Sequence, residues 1–350
     1  MKKVLLTGTA GFIGMYTTEI LLKQGYEVVG LDSINDYYDI NLKYGRLRRV
    51  GIEPDELEYG KMHQSKHKNL KFVWLKLEEK DQMQGLFQNQ QFDYVIHLAA
   101  QAGVRYSIKA PFAYLDSNLS GFMNILEGCR LQQVKHLIFA SSSSVYGKNT
   151  SVPFKESDVA SHPISLYAAT KKANEVLAHS YSSLYAIPST GLRFFTVYGP
   201  WGRPDMAMFI FTQKILNGEP IEVFNNGVMK RDFTYILDIV EGIVKLLDKP
   251  PVVEEKFDLQ HPDPGESFAP YRICNIGKGQ PQDLLKFINA IESELGVKAK
   301  MKFLPMQQGD VPLTFADTSK LTQITNYSPT ISIEEGVQKF VQWYRDYYNL

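Results

Sequence analysis

The chain has 350 residues, of which 44% are hydrophobic and 22% are charged, as in ordinary globular proteins. Its 38 Lys and Arg balance its 38 Asp and Glu, so the formal net charge is zero. Nothing in this balance favours a nucleic acid or a membrane surface as partner, and an anionic ligand must be held by a few local cations.

The cysteine content indicates a reduced compartment. Cys129 and Cys274 are too few for a disulfide framework or a cysteine-based metal cluster. The apolar stretch Val4-Leu5-Leu6 is too short for the core of a signal peptide or for a membrane span. We therefore expect a cytoplasmic protein that binds no metal and no membrane.

The first half of the chain alternates short apolar runs with helical patterns. A helix is predicted from Phe12 to Lys23, followed by Gly25, and strands are predicted at residues 3–7, 27–31, 70–75, 94–98 and 136–139. Strands separated by helix-length segments indicate βαβ units and a parallel sheet. With right-handed crossovers, this pattern predicts an α/β protein with a Rossmann-type, doubly wound parallel sheet.

A glycine-rich run, Gly8-Thr9-Ala10-Gly11-Phe12-Ile13-Gly14, joins the first predicted strand to the first predicted helix. In such a run Gly8 allows the sharp turn, Gly11 lets the backbone approach a pyrophosphate, and Gly14 lets the helix pack against the strand. The helix N-terminus, from Phe12 and Ile13, offers free N–H groups and a positive dipole end to the phosphates. The run therefore predicts a dinucleotide site, with a purely structural turn as the alternative.

Asp32 ends the second predicted strand, at about the distance from the glycines where a ribose-binding carboxylate is expected. Its carboxylate would accept hydrogen bonds from the ribose hydroxyls and repel a 2′-phosphate. This favours NAD over NADP as the cofactor. The alternative is that Asp32 only caps a helix.

The stretch from about residue 41 to residue 68 is polar and weakly patterned. We interpret it as an insertion after the second strand. Its basic residues are typical of a solvated face; they are Arg46, Arg48, Arg49, Lys61, Lys66 and Lys68.

A second candidate site combines Tyr167-Ala168-Ala169-Thr170-Lys171 with the serine cluster Ser141 to Ser144. Free tyrosine has a pKa near 10, but Lys171 lies one helical turn from Tyr167 on the same face, and its charge favours the phenolate. This spacing alone is common on helix surfaces. The serine cluster, however, ends a predicted strand at the sheet edge where such folds bind ligands. Together they predict alcohol oxidation by a nicotinamide cofactor.

The sequence pattern changes after about residue 196, where turn-forming sequences become more frequent. They are Gly199-Pro200, Arg203-Pro204, Asn225-Asn226-Gly227 and Pro262-Asp263-Pro264-Gly265. A strand is predicted at residues 221–224 and helices at 234–247 and 283–295. We expect residues 1–196 to form mainly the dinucleotide-binding domain and residues 197–350 mainly a smaller, interleaved C-terminal α/β substrate lobe. Part of 232–275 is expected to return to the first core.

The motifs together resemble the extended short-chain dehydrogenase/reductase family, and within it the nucleotide-sugar 4-epimerases. The resemblance covers essentially the whole chain and includes residues 8–14, 97–100, 141–147, 167–171 and 192–200. Three further segments are similar to UDP-glucuronate 4-epimerases in particular, namely residues 101–107, 201–207 and 231–235. The implied activity is NAD-dependent 4-epimerisation of a UDP-sugar, most closely UDP-glucuronate to UDP-galacturonate through a 4-keto intermediate.

The resemblance also implies roles for individual residues. Tyr167 would be the catalytic base, Lys171 would hold the nicotinamide ribose, and Ser142 would bind the sugar 4-oxygen. Besides the glycine run and Asp32, the implied cofactor contacts are Leu77, Ala99, Ala100, Phe139, Ala140 and Tyr198. The implied substrate contacts, in addition to Ser142, are Arg105, Ser143, Ser144, Thr196, Arg203, Arg231 and Asp310. Surface salt bridges are the alternative for the arginines.

Two features refine the resemblance. Related enzymes carry Asp-Leu after the third strand where this chain has Lys76-Leu77, so we assign no adenine contact to position 76. The serine cluster contains no Glu, which a related decarboxylase would have, and no Asp-Glu pair, which a 4,6-dehydratase would have. Epimerisation is therefore favoured over both.

Three alternatives stay open from the sequence. They are a 4-epimerase of UDP-glucose or of a UDP-N-acetylhexosamine or its uronate, a UDP-glucuronate decarboxylase, and a non-catalytic NAD-binding sensor. The apolar faces of the helices near residues 112–130 and 165–185 also lead us to expect a homodimer, as in related enzymes.

Overall fold

The computed structural model of the chain describes residues 1–255, 257–307 and 309–350. Within these ranges the strands, in chain order, are β1 Lys3–Thr7, β2 Glu27–Asp32, β3 Met62–Gln64, β4 Leu70–Trp74, β5 Tyr94–His97, β6 His136–Ser142, β7 Ser189–Phe194, β8 Thr196–Tyr198, β9 Ile221–Val223, β10 Lys230–Arg231, β11 Phe233–Tyr235, β12 Tyr271–Ile276, β13 Gln282–Asp283 and β14 Met301–Phe303.

The α-helices are α1 Phe12–Lys23, α2 Ile40–Arg49, α3 Lys80–Asn89, α4 Tyr106–Lys109, α5 Pro111–Tyr114, α6 Gly121–Gln132, α7 Leu166–Tyr185, α8 Ala207–Leu216, α9 Ile236–Leu246, α10 Leu284–Leu295, α11 Ser319–Thr325 and α12 Ile333–Tyr348. A π-helical turn, Leu115–Ser120, joins α5 to α6. Short 3₁₀ turns cover Pro54–Glu56, Ser143–Tyr146 and Phe224–Gly227.

An eight-stranded sheet forms the centre of the fold, with the strand order β12-β7-β6-β5-β1-β2-β4-β3. All neighbouring strands are parallel except β3, which runs antiparallel to β4 at the edge. The side chains of Val4, Leu5 and Leu6 in β1 are completely buried, as expected for a strand covered by helices on both faces. The predicted doubly wound fold is confirmed.

The chain order of the strands reverses between β1 and β5. After β1 the chain builds outward through β2 and β4, then returns to place β5 on the other side of β1. In open parallel sheets this reversal leaves a crevice beyond the carboxyl ends of the two strands, which is where ligands bind. The glycine run follows β1 and lies at that crevice.

A smaller lobe is built on short strand pairs from the second half of the chain. Strands β8 and β11 pair in parallel, as do β9 and β14, and β10 pairs antiparallel with β13. The chain also re-enters the large sheet, because β12 pairs with β7 and α9 packs against α1. The division near residue 196 into a dinucleotide-binding domain and a substrate lobe remains a prediction.

Most element boundaries lie close to those predicted from the sequence. The helix Phe12–Lys23 has the predicted bounds. The helix expected at 234–247 begins at Ile236 instead, because Phe233–Tyr235 extends along β8 as a strand. The helix expected near 112–130 is broken into α5, the π-helical turn and α6.

The largest difference concerns residues 41–68. The stretch is ordered into α2, a 3₁₀ turn and β3, and its basic residues do not share one environment. The Arg48, Lys61 and Lys66 side chains are exposed, as predicted, but Arg46 is 0% exposed. The solvated-face prediction is wrong for Arg46, because that residue lies on the helix face that also buries Leu42 and Leu47.

The described residues contain neither a candidate membrane-spanning helix nor a candidate metal site. No helix in the described ranges is both long and apolar enough to cross a bilayer. No group of three or more His, Cys, Asp or Glu side chains in those ranges has an arrangement that could hold a metal ion.

Candidate active site

The glycine run forms a tight loop at the carboxyl end of β1. Gly8 has φ +82°, and a Cβ on it would lie 2.9 Å from the backbone nitrogen of Ala99. A Cβ on Gly14 would lie only 1.9 Å from the Gly8 carbonyl oxygen. Both positions therefore require glycine. Gly11 caps α1 without a side-chain hydrogen bond, so the first N–H groups of this twelve-residue helix remain available to an anion.

Asp32 is fixed at the end of β2, beside this loop. One carboxylate oxygen accepts the Ala10 N–H at 3.0 Å and the other accepts the Ile34 N–H at 2.9 Å. Each oxygen keeps a further lone pair, which suits the two hydroxyls of a ribose. The loop, the helix end and Asp32 thus fit a dinucleotide with a free 2′-hydroxyl.

Tyr167, Lys171 and Ser142 are brought to one place by α7 and β6. Ser165 caps α7 by accepting the Ala168 N–H at 3.1 Å, so Tyr167 lies in the first helical turn. Lys171 follows on the same face and donates to the Ala140 carbonyl at 2.8 Å, two residues before Ser142. The predicted catalytic residues therefore converge at the carboxyl edge of the sheet.

Burial shifts the pKa values of Tyr167 and Lys171 in opposite directions. Burial raises the pKa of Tyr167, while the Arg203 charge and hydrogen bonding with Ser142 act to lower it. Burial lowers the pKa of Lys171 to about 8. In this structure the Lys171 ammonium donates to the Ala140 carbonyl, and its stabilisation of the Tyr167 phenolate remains a prediction.

The serine cluster continues β6 into a 3₁₀ turn. The Ser142 hydroxyl donates to the Ser144 hydroxyl at 3.1 Å, and the Ser144 N–H donates back to Ser142 at 3.2 Å. Ser143 and Ser144 are half-buried, as is Thr196, whose N–H donates to the Asp232 carbonyl at 3.1 Å. Several hydroxyls are therefore available at the sheet edge beside Tyr167.

A buried ion pair lies behind the serine cluster. Arg193 on β7 binds Glu175 on α7 through two hydrogen bonds of 2.9 and 3.0 Å. Ser141 donates to the same carboxylate at 2.6 Å. Burial acts to raise the pKa of Glu175, but Arg193 and the hydrogen bonds outweigh it and lower the pKa. The ion pair joins α7 to β7, and the Ser141 hydroxyl joins the same carboxylate to β6, the strand that ends in Ser142.

Arg203, predicted to contact substrate, lies near Tyr167. It pairs with Asp205 through hydrogen bonds of 3.0 and 2.5 Å, and the Tyr37 hydroxyl donates to the same carboxylate at 3.0 Å. Its charge reaches Tyr167 strongly enough to oppose the rise in that pKa. Asp205 belongs to the segment 201–207 that carries the resemblance, but neither Asp205 nor Tyr37 was predicted as a site residue.

The other predicted substrate residues lie on the smaller lobe and on the loop facing it. Arg231 donates to Asp310 at 2.7 Å, which joins two residues predicted separately. The exposed Arg105 side chain covers the Phe224 ring at 5.4 Å, so the loop after β5 contacts the smaller lobe. Their roles in binding substrate remain predictions.

The remaining predicted cofactor residues differ in how well their positions suit that role. Ala99 runs beside Gly8, followed by Ala100, and Ala140 accepts from Lys171. The Leu77 side chain is buried and its carbonyl accepts from Asn124 at 2.8 Å. The Tyr198 ring packs among Phe233, Tyr235 and Phe287, and its hydroxyl donates to the Ser332 carbonyl at 3.1 Å. The Tyr198 side chain is therefore engaged within the protein, and the predicted cofactor contact is left to its backbone.

His97 lies at the carboxyl end of β5 but is unsuited to acid–base work. Its Nδ1 hydrogen-bonds the Thr7 hydroxyl at 2.9 Å, which ties β5 to β1. Burial, assisted by the charge of Lys171, lowers the pKa of His97 to about 3. The imidazole therefore stays neutral at physiological pH and has a structural role.

Sequence reasoning missed two buried cations beside the glycine loop. Arg46 and Lys43, one turn apart on α2, are both buried. The detectable signal was the spacing of Leu42, Leu47 and Val50, which marks one face of a helix and takes in positions 43 and 46.

Comparison with known proteins agrees with this arrangement. Residues 4–259 match the model of the NAD dependent epimerase/dehydratase family. The chain is 51% identical to Protein CapI of Staphylococcus aureus over 99% of both chains. It is 46% identical to a probable UDP-glucuronate 4-epimerase of Rhizobium meliloti (strain 1021), over 99% of this chain and 98% of the relative.

The fold is similar to that of a solved enzyme with ligands. The UDP-glucuronic acid 4-epimerase of Bacillus cereus, crystallised in complex with UDP-glucuronic acid and NAD, superposes with a TM-score of 0.83. The two chains are 32% identical, and the match covers 99% of this chain and 100% of that one.

Proposed function

Since the chain belongs to the NAD dependent epimerase/dehydratase family, we propose that it interconverts UDP-glucuronate and UDP-galacturonate. It is an NAD-dependent UDP-sugar 4-epimerase, and the proposal concerns which sugar it takes. The catalytic part of the proposal rests on one observation, the convergence of Tyr167, Ser142 and Lys171 at the sheet edge that also holds the dinucleotide loop. The similarity to UDP-glucuronate 4-epimerases supports the choice of sugar.

In the proposed reaction Tyr167 removes the proton of the sugar 4-hydroxyl, while Ser142 hydrogen-bonds the 4-oxygen. NAD, when bound, takes hydride from C4 and returns it to the opposite face of the sugar. Tyr167 then gives the proton back to the 4-oxygen. Lys171 holds the nicotinamide ribose, which requires its ammonium to move from the Ala140 carbonyl or to share its donors with it.

The sugar must turn over in the pocket between the two hydride transfers, while the UDP stays in place. Arg203 and Arg231 are proposed to hold the diphosphate, since guanidinium groups match phosphate oxygens with two hydrogen bonds. Each arginine already has one carboxylate partner, Asp205 or Asp310, which fixes its orientation.

A uronate substrate brings a hazard, because its 4-keto form is a β-keto acid that loses CO₂ readily. The carboxylate is proposed to be held by hydroxyls of Ser143, Ser144 and Thr196. These three half-buried residues lie on the turn after β6 and at the start of β8. The serine cluster carries no acidic side chain that could repel the carboxylate.

The second candidate is 4-epimerisation of UDP-glucose or of a UDP-N-acetylhexosamine. The same Tyr167, Ser142 and Lys171 would serve it, and only the space and polarity around the sugar would differ. Direct competition between the three classes of UDP-sugar distinguishes the candidates.

We also propose that the enzyme is a homodimer formed through the surface of α5 and α7. Three large apolar side chains there are exposed: Phe112 by 74%, Val176 by 59% and Leu184 by 68%. Helices α5 and α7 pack on each other, so these residues belong to neighbouring elements. Covering them with the same surface of a second copy would remove apolar area from water.

Proton NMR of the purified protein with UDP-glucuronate, with and without added NAD, tests the substrate. We expect UDP-galacturonate without loss of CO₂. An unchanged spectrum with UDP-glucuronate, together with turnover of UDP-glucose or a UDP-N-acetylhexosamine, would establish the second candidate. Formation of a UDP-pentose would mean that the serine cluster fails to protect the carboxylate.

A further inference from the structure

Arg46 is a buried cation whose hydrogen bonds go mainly to backbone carbonyls of two separate loops. Its Nη1 donates to the Ala10 carbonyl at 3.2 Å, in the glycine loop. Its Nη2 donates to the carbonyls of Trp201 at 2.7 Å and Gly202 at 3.0 Å, and its Nε donates to Trp201 at 3.1 Å. A fourth acceptor is the Tyr38 hydroxyl at 2.5 Å.

No carboxylate within the described ranges forms an ion pair with Arg46. A buried charge normally needs a counter-ion, because removing it from water is costly. Lys43, one turn earlier, is also buried and donates to the backbone and side-chain oxygens of Asn35. Two cations therefore lie beside the glycine loop, where the anionic dinucleotide is expected to bind.

The loop on the other side of Arg46 has an unusual backbone. Trp201 has φ +62°, in the left-handed region that side chains disfavour, whereas Gly199, at φ +144°, has no side chain to oppose its backbone. Strain of this kind persists only where surrounding contacts impose it. The two hydrogen bonds from Arg46 to the Trp201 carbonyl are such contacts, and Arg203 follows two residues later.

Helix α2 supports the same loop through a second contact. A Cβ on Gly45 would lie 2.6 Å from the Trp201 ring, so glycine at this position lets the indole rest on the helix. Trp343 and Tyr347 pack against the indole with ring centroids 5.3 and 5.0 Å away. The loop before Arg203 is thus held by α2 through both its carbonyls and its side chain.

We propose that Arg46 is a positioning residue that couples the cofactor loop to the substrate loop, so that NAD binding strengthens UDP binding and the reverse. The inference uses the proposed function only in taking residues 201–205 as part of the substrate site. A guanidinium can serve both loops at once because its five donors are fixed in one plane, whereas a lysine ammonium cannot span the same acceptors. Coupling of this kind is reciprocal by thermodynamic necessity.

Calorimetric titration with UDP, using NAD-free and NAD-loaded protein, tests the coupling in wild type and Arg46→Lys. In wild type, UDP affinity should rise about 10-fold when NAD is loaded, within the usual range of coupling between sites. In Arg46→Lys, which keeps the charge, the ratio should fall towards one. Arg49→Lys is the matched control, because Arg49 is on the same helix but pairs with Glu19 and touches neither loop.

A second variant distinguishes a loss of coupling from a general loss of stability caused by Arg46→Lys. Gly45→Ala strengthens the intrinsic helix propensity of α2 but pushes the Trp201 ring, so it should reduce the same ratio without removing any charge. The measured quantity is the UDP affinity of the NAD-loaded protein divided by that of the same protein without NAD. If Arg46 only stabilised the fold, the variants would have a lower melting temperature but an unchanged affinity ratio.

The outcomes separate this inference from the proposed function. A wild-type ratio near one, or a wild-type ratio retained in both Arg46→Lys and Gly45→Ala, would overturn the coupling. Coupled binding of NAD and UDP in a protein that leaves UDP-glucuronate unchanged would support the role of Arg46 and reject only the proposed sugar.

Discussion

At the scale of single residues, burial acts in opposite directions on the two members of the Tyr-x-x-x-Lys motif. It raises the pKa of Tyr167 and lowers that of Lys171, because in each case the charged form is poorly solvated. The protein alone therefore favours a neutral tyrosine and an easily deprotonated lysine. The positive ring of the nicotinamide and the Arg203 charge both favour the phenolate form of Tyr167.

Removing the Tyr167 hydroxyl should abolish catalysis but not cofactor binding. We expect Tyr167→Phe to lower kcat by about 10²- to 10⁴-fold, the usual contribution of a general base, while NAD binds as in wild type. Tyr181→Phe removes a hydroxyl from the same helix, where it contacts Glu127, and serves as control. Turnover near the wild-type rate in Tyr167→Phe would exclude it as the base.

Lys171 predicts a pH dependence of stability. Its folded pKa is about 8 against an ordinary value of 10.5, so the unfolded chain binds more protons between these pH values. Stability from this group therefore rises with pH across that window, by up to roughly 3 kcal/mol. NAD-free Lys171→Met should be more stable than wild type at pH 7.5 and should lose most of that advantage by pH 10.

Chemical unfolding of both proteins at several pH values measures this difference. An advantage that stays constant from pH 7.5 to pH 10 would show that the lysine charge is not what destabilises the folded state. Activity should be lost in the same variant, which would mark Lys171 as a residue kept for function at the expense of stability.

At the scale of elements, the site depends on how α7 is fixed to β6 and β7. The Glu175–Arg193 pair and the Ser141 hydroxyl join the helix that carries Tyr167 to the strand that ends in Ser142. Both charged side chains are buried, and Glu175 supplies the counter-ion of Arg193, while Lys172 also contacts Glu175 at 3.0 Å. The ion pair and the Ser141 hydroxyl together set the position of Tyr167 relative to Ser142.

Glu175→Gln should destabilise the protein by about 3–5 kcal/mol, because it leaves Arg193 buried without a counter-ion. We also expect kcat to fall in the folded fraction, since Tyr167 and Ser142 lose their common anchor. Glu127→Gln is a suitable comparison, because it breaks a half-exposed pair with Arg130 and should cost only about 0–1 kcal/mol. Equal losses in the two variants, by urea unfolding, would contradict the argument.

At the scale of the whole molecule, the two parts of the chain meet around the crevice between β1 and β5. Arg203 lies on a loop from the second half of the chain, yet its charge acts on Tyr167 from the first half. Arg105 contacts Phe224 across the same cleft. A complete site therefore requires both parts of the chain to be folded and correctly placed relative to each other.

The proposed dimer can be tested on its apolar surface. We expect Val176→Glu with Leu184→Glu to yield monomers in size-exclusion chromatography with light scattering, because two buried charges would face the partner. Val297→Glu changes a residue of similar type on the smaller lobe, 43% exposed, and should leave the dimer intact. A wild-type monomer, or a dimer retained in the double variant, would rule out this surface.

The fold class and the main local motifs could be predicted from the amino-acid sequence. The apolar runs, the glycine run and the Tyr167–Lys171 spacing depend on backbone geometry and on neighbours within a few residues, so they can be read from one segment at a time. The same holds for Asp32 at a strand end.

The burial of charged side chains, and the groups that they bind, could not be predicted and became visible only in the folded chain. Arg46 belongs to a polar stretch, and its acceptors at Ala10 and Trp201 are remote in sequence. Asp205 likewise accepts from the Tyr37 hydroxyl, which is remote in sequence. Local patterns do not encode such contacts, because the free energy of a buried charge depends on the acceptors that distant segments bring to it.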